Sequence, residues 1–177
     1  MTFQLFHFRD SEKILKEKAM LRYITLTMEH VFNALEGVYL RNALLRTVLD
    51  EMGWHQGDVW NIIAGRRCRY LGYKNGVAIE ASFTDYSYIA EGLTCLQLGY
   101  DKGQIDAGIL LLTTRGIPAG KEKDMSVILN KDMGAMEPTI SLPVCIGLYD
   151  FGDPVIGNCN NFPSCSTESN QLQIPTL

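Results

Sequence analysis

The run Gly108-Ile109-Leu110-Leu111-Leu112-Thr113-Thr114 constrains the fold more than any other stretch. It is short, apolar at successive positions, and closed by Arg115-Gly116 and Pro118. Side chains on a strand point alternately to opposite faces, so an apolar run without alternation needs cover on both. The reading is a central strand with a layer on each side. Leu142 to Tyr149 (LPVCIGLY) reads as a second buried strand. Strands wrapped in this way belong to an α/β sandwich.

The remaining segments supply the layers. Met1 to Phe8 is apolar and aromatic, suited to a short strand or a packed arm. Asp10 or Ser11 can cap a helix with Glu12 in its first turn. Tyr23 to Met28 (YITLTM) alternates and is rich in β-formers, so strand and helix both remain open there. From Glu29 to Met52 apolar residues recur at three- and four-residue spacing, with Gly37 dividing two helices. Gly53 suits the left-handed position that ends a helix. Ala90 to Tyr100 reads as a helix, and Lys121 to Met136 as a loop followed by a helix. We expect one domain over residues 1–151 and a polar tail over residues 152–177 without fixed structure, because the latter is rich in Asn, Ser, Pro and Thr.

One carboxylate sits oddly in this pattern. Lys74-Asn75-Gly76 reads as a tight turn between two strands, and Glu80 falls midway along the second. Alternation puts Glu80, Ser82 and Thr84 on one face and Ile79, Ala81 and Phe83 on the other. A buried carboxylate is costly unless it is paired. Glu80 is therefore either a sheet-edge or ion-paired residue, or a metal-binding or acid/base group held on a rigid element.

Composition narrows the classes. A net charge of −4 carries no general excess of Lys and Arg, and Arg66, Arg67 and Arg69 form the only dense basic cluster. The five cysteines lack any Cys-x-x-Cys spacing, which argues against a disulfide framework or a zinc site. Cys68, Cys95 and Cys145 fall in or beside apolar runs, as small buried residues do. His7, His30 and His55 have no ligand spacing. No signal-peptide core opens the chain and no apolar run nears about 18 residues, so a cytoplasmic, non-membrane protein is expected.

Several local patterns, in order, carry a resemblance. They are His7-Phe8-Arg9-Asp10-Ser11-Glu12-Lys13-Ile14-Leu15, Leu49-Asp50-Glu51-Met52-Gly53-Trp54 and Tyr73 to Phe83 (YKNGVAIEASF). Gly99 to Leu110 (GYDKGQIDAGIL) and Leu142 to Leu148 (LPVCIGL) follow. Together these resemble the BglII/BstYI-type restriction endonucleases of the PD-(D/E)xK nuclease superfamily, over roughly residues 5 to 151. The resemblance implies a restriction-endonuclease-like core, a central mixed β-sheet flanked by helices. It also implies a homodimer that cuts double-stranded DNA at specific sites with Mg²⁺, as part of a restriction-modification system.

The family holds its metal with an Asp nine residues before the strand Glu and with that Glu, and a polar residue two further on orients the water. Glu80 matches the Glu, Leu71 stands at the Asp position and Ser82 at the third. Glu80 and Ser82 are thus the implied catalytic residues, with Glu80 the metal ligand. Asp85 is expected to face away from them, while Asp58 or Glu51 could reach in from before the hairpin. Arg66, Arg67, Arg69, Lys74, Arg115, Lys121 and Lys123 are candidate DNA contacts, since Arg and Lys bind phosphates and guanine edges.

Overall fold

The computed structural model describes residues 3–55, 70–117 and 124–152. The chain forms β1 (Phe3–Phe8), α1 (Ser11–Glu17), α2 (Leu21–Leu35), α3 (Arg41–Glu51), β2 (Gly72–Lys74) and β3 (Val77–Ser82). A 3₁₀ turn (Tyr86–Tyr88) leads to α4 (Ile89–Asp101), β4 (Ala107–Thr113), α5 (Met125–Ala135) and β5 (Val144–Tyr149). The strands make one five-stranded mixed sheet in the order β1-β5-β4-β3-β2. β3, β4 and β5 run parallel, and β1 and β2 close the edges antiparallel.

β4 is the middle strand and buries every residue, which is what its unbroken apolar run requires. Its side chains divide between two cores. Ile109 and Leu111 join Ile24, Met28, Val31, Leu35, Leu45 and Leu49 beneath α2 and α3. Leu110 and Leu112 join Leu93, Leu96, Leu129 and Met133 beneath α4 and α5. β5 divides likewise, with Cys145 and Tyr149 on the first side and Val144, Ile146 and Leu148 on the second. The expected α/β architecture, a mixed sheet between helical layers, is the one observed.

Two local expectations were left to tertiary contacts. Tyr23 to Met28 is helical, part of α2. Ile24, Met28, Val31 and Leu35 line one buried stripe, whereas a strand would have put Leu26 inside with Ile24 and Met28; Leu26 is exposed. Asp10 precedes α1 with φ 59° and makes no side-chain cap bond. Ser11, the first helical residue, is buried and meets His7 Nδ1 at 3.2 Å instead. The hairpin turn forms as read, with Asn75 at φ 51° and Gly76 at φ 77°. Lys18 ties that turn down by donating to the Asn75 carbonyl at 3.0 Å and pairing with Asp106 at 2.7 Å. Among the described residues no helix is long and apolar enough to cross a membrane.

Candidate active site

Because β3 and β4 are parallel, their carboxyl ends lie on the same side of the sheet. In open α/β sheets ligands bind in crevices outside such ends. Here Ser82, Thr84, Asp85, Ser87, Tyr88 and Glu91 line a concavity of about 320 Å³ between the end of β3 and the start of α4. Asn42 at the start of α3 supports its rim. Its Oδ1 accepts from the Phe83 N–H at 2.8 Å and its Nδ2 donates to Thr84 Oγ1 at 2.8 Å. Tyr86 anchors the turn by donating to Asp132 of α5 at 2.8 Å, and its own N–H donates to the Arg115 carbonyl at 2.8 Å.

Glu80 stands behind this concavity. It is only 5% exposed, so the sheet-edge alternative is excluded. As alternation predicts, Ile79, Ala81 and Phe83 pack with the core beneath α2 and α3, while Glu80 faces α4. The Tyr88 hydroxyl donates to its Oε2 at 3.4 Å, and the Cys95 thiol to its Oε1 at 3.7 Å. These are long bonds that compensate desolvation only in part. Burial therefore dominates and raises the Glu80 carboxyl to about 7, with the Glu91 charge adding to the rise against those hydrogen bonds. Burial and then the nearby Glu80 raise the Tyr88 phenol in turn.

Ser82 reaches the rim, two residues beyond Glu80, where its hydroxyl accepts from the Thr84 N–H at 3.4 Å. Asp85 also reaches it. The expectation that Asp85 faces away assumed that strand alternation continues, but β3 ends at Ser82 and the chain turns. The Asp85 Oδ1 accepts from the Ser87 N–H at 2.8 Å, and those hydrogen bonds hold its carboxyl below the usual range. Leu71 packs into the core beneath α2 and α3, on the side of the sheet away from Glu80. Glu51 pairs with His30 at 2.9 Å. Lys74 places its ammonium 3.9 Å from the centre of the Tyr23 ring. Arg66, Arg67, Arg69, Lys121, Lys123, Asp58 and Cys68 lie outside the described residues.

Tyr88, Glu91 and Asn42 were not singled out from the sequence, and Cys95, expected to be a small buried residue, is only partly buried, with its thiol turned to Glu80. Their signal was weak: Glu91 sits in the first turn of the helix that follows the Glu80 strand. Only the packing of α4 on β3 brings it near. A solved structure resolves the architecture. The chain superposes on the crystal structure of free BglII with a TM-score of 0.51, covering 86% of this chain and 81% of that one at 13% identity. The fold is restriction-endonuclease-like. No family model matches the chain by sequence, and no curated protein does.

Restriction-endonuclease-like folds usually work with a divalent metal. Among the described residues no three His, Cys, Asp or Glu side chains gather as a metal-binding group. Mg²⁺ asks for less: one or two carboxylates, with water and phosphate oxygens completing six. Glu80 and Glu91 are carboxylates close enough for one to perturb the other, and Ser82 adds a hydroxyl on the same side. That donor chemistry fits a hard cation, provided that Glu80 turns from Tyr88 and Cys95.

Proposed function

We propose that this chain is a type II site-specific endodeoxyribonuclease that hydrolyses phosphodiester bonds in double-stranded DNA with Mg²⁺, as a homodimer in a restriction-modification system. One observation carries the reading: a buried carboxylate, Glu80, stands behind a concavity at the carboxyl end of its strand in a restriction-endonuclease-like fold. Glu80, with Glu91, would hold the metal, and Ser82 would position the attacking water. Mg²⁺, when bound, supplies charge neutralisation at the phosphate and an acidified water. Tyr88 and Cys95 each hold one Glu80 carboxylate oxygen by a hydrogen bond, and Glu80 would give up these contacts on turning to the cation. Asp85 and Glu91 make the rim acidic, so a phosphate would approach it only alongside a cation.

A second reading is a homologue that binds DNA without cutting it. The position of Leu71, on the far side of the sheet from Glu80, favours that reading, since Leu71 itself brings no carboxylate to the site. Incubating supercoiled plasmid with the protein in Mg²⁺ or Mn²⁺ separates the two, with Glu80→Ala as control. Metal-dependent cleavage that the control lacks supports the nuclease. Salt-sensitive DNA binding without cleavage supports the second reading. Absence of both would leave an interaction domain that keeps the fold alone.

A further inference from the structure

Tyr39 and Leu40 are the most exposed large apolar side chains among the described residues, at 79% and 64%. They lie in the short connection between α2 and α3. Its backbone is held at both ends. The Val38 N–H donates to the Leu35 carbonyl at 3.2 Å, and the Leu40 carbonyl accepts from the Ala43 and Leu44 N–H groups at 3.1 and 3.3 Å. The Arg41 Nε also donates to the Leu35 carbonyl, at 3.3 Å. Apolar side chains presented on a fixed backbone lose little freedom when a partner covers them.

Hydrogen bonds place this connection at the carboxyl edge of the sheet. Asn42 bonds the Phe83 N–H and Thr84 Oγ1, each at 2.8 Å, just past the end of β3. Arg41 donates to the Gly152 carbonyl at 3.3 Å and lies 4.6 Å from the centre of the Phe151 ring, just past the end of β5. Thr84 itself lines the concavity. Tyr39 is three residues before Asn42, a reach of at most about 11 Å along the chain. Bases follow one another every 3.4 Å or so along a DNA strand. A duplex with one phosphate at the concavity therefore brings bases within about three steps of Tyr39 and Leu40.

The size of the patch selects the partner. With Leu44, which is also exposed, it offers on the order of 400 Å², whereas a stable protein interface takes about 800 Å² from each side. A base step needs only one ring or one leucine against its flat apolar face. We propose that Tyr39 and Leu40 form an apolar wedge that packs against a base step of duplex DNA, beside a phosphate at the concavity. The assignment rests on the DNA-binding part of the function proposed above and names a base-facing contact for it.

The test is fluorescence anisotropy of a labelled duplex across a KCl series, in EDTA and again in Ca²⁺, with a second duplex carrying 2-aminopurine in place of several adenines. Wild-type binding should brighten the 2-aminopurine as a base step unstacks. Tyr39→Ala and Leu40→Ala should each weaken binding at least about 5-fold and diminish that signal. The slope of log K against log salt should not change, because neither side chain neutralises a phosphate. Tyr39→Phe should retain affinity and signal, and Val127→Ala, which trims an exposed side chain of α5, should alter neither. Thermal melting verifies that each variant folds. Wild-type binding with unaltered affinity in both alanine variants overturns the wedge alone. Dissociation of a dimer in Tyr39→Ala, seen by sedimentation velocity without DNA, assigns the patch to a second copy of the chain and overturns the wedge too. Failure of the wild type to bind duplex in either condition overturns the wedge together with the DNA-binding reading.

Discussion

At the scale of single residues, Glu80 sets the pH behaviour. An ordinary glutamate releases its proton near 4.5, whereas folded Glu80 keeps it to about 7. Between those values the native state binds more protons than the unfolded chain, so stability falls as pH rises. The contribution is complete below 4.5 and lost by about 7, and is worth roughly 3 kcal/mol. Glu80→Gln keeps the shape without the charge. Urea titrations should show a flatter dependence across that window and a higher midpoint above it, while the plasmid assay should show no cleavage. An unchanged pH dependence would contradict the burial of this carboxyl. Gly99 makes a steric prediction at the same scale. A methyl group there would meet the Tyr70 hydroxyl at a forbidden distance and its ring carbon Cζ at 2.9 Å. Gly99→Ala should destabilise by about 1–3 kcal/mol, and Tyr70→Phe in the same chain should recover part of the loss. Simple additivity in that double-mutant cycle would count against the contact.

At the scale of elements, α4 carries both the site and a structural tie. Gln97 is buried, and its Oε1 accepts from the Ser141 and Leu142 N–H groups at 2.7 and 2.8 Å. Its Nε2 donates to Asp101 at 2.6 Å and to Ser141 Oγ at 3.1 Å. The tie holds α4 to the segment that leads into β5. Gln97→Leu strands the buried Leu142 N–H and the partly buried Ser141 N–H, and a loss of about 2–4 kcal/mol is expected in urea unfolding. From periodicity Gln97 was one more residue at helical spacing, and its role depends on a partner 44 residues away. Helix α2 had the same difficulty in another form. Over Tyr23 to Met28 the local pattern fits a strand, and only the stripe continuing to Val31 and Leu35 against the sheet decides for a helix.

At the scale of the molecule, a single sheet backs both cores. Leu110 and Leu111 are neighbours in β4, both fully buried, and each serves the opposite core. Leu110→Ala and Leu111→Ala should each cost about 2–5 kcal/mol. Both should still unfold in one transition, with near- and far-ultraviolet circular dichroism coinciding, because neither core can open while β4 remains paired. Two separated transitions in either variant would show the layers to be independent. The aromatic group at the end of β5 couples to the first core. Phe151 stacks on Tyr149 and Phe32 at 5.1 and 5.7 Å, meets Phe83 edge-on at 4.9 Å, and lies under Arg41.

The pattern of apolar residues alone determined that the chain would build a sheet covered on both faces. Burial on both faces demands an unbroken apolar run, and in β4 and β5 that run can be read without knowing any partner. The Asn75-Gly76 turn was equally legible, because its requirement for positive φ is local. Which groups surround Glu80 was decided by tertiary structure. Tyr88, Glu91 and Cys95 meet it only because α4 packs across β3, and Asp85 joins the rim only because the strand stops at Ser82. Electrostatic and hydrogen-bonding neighbours depend on distance through space, and a linear order of residues does not contain that distance.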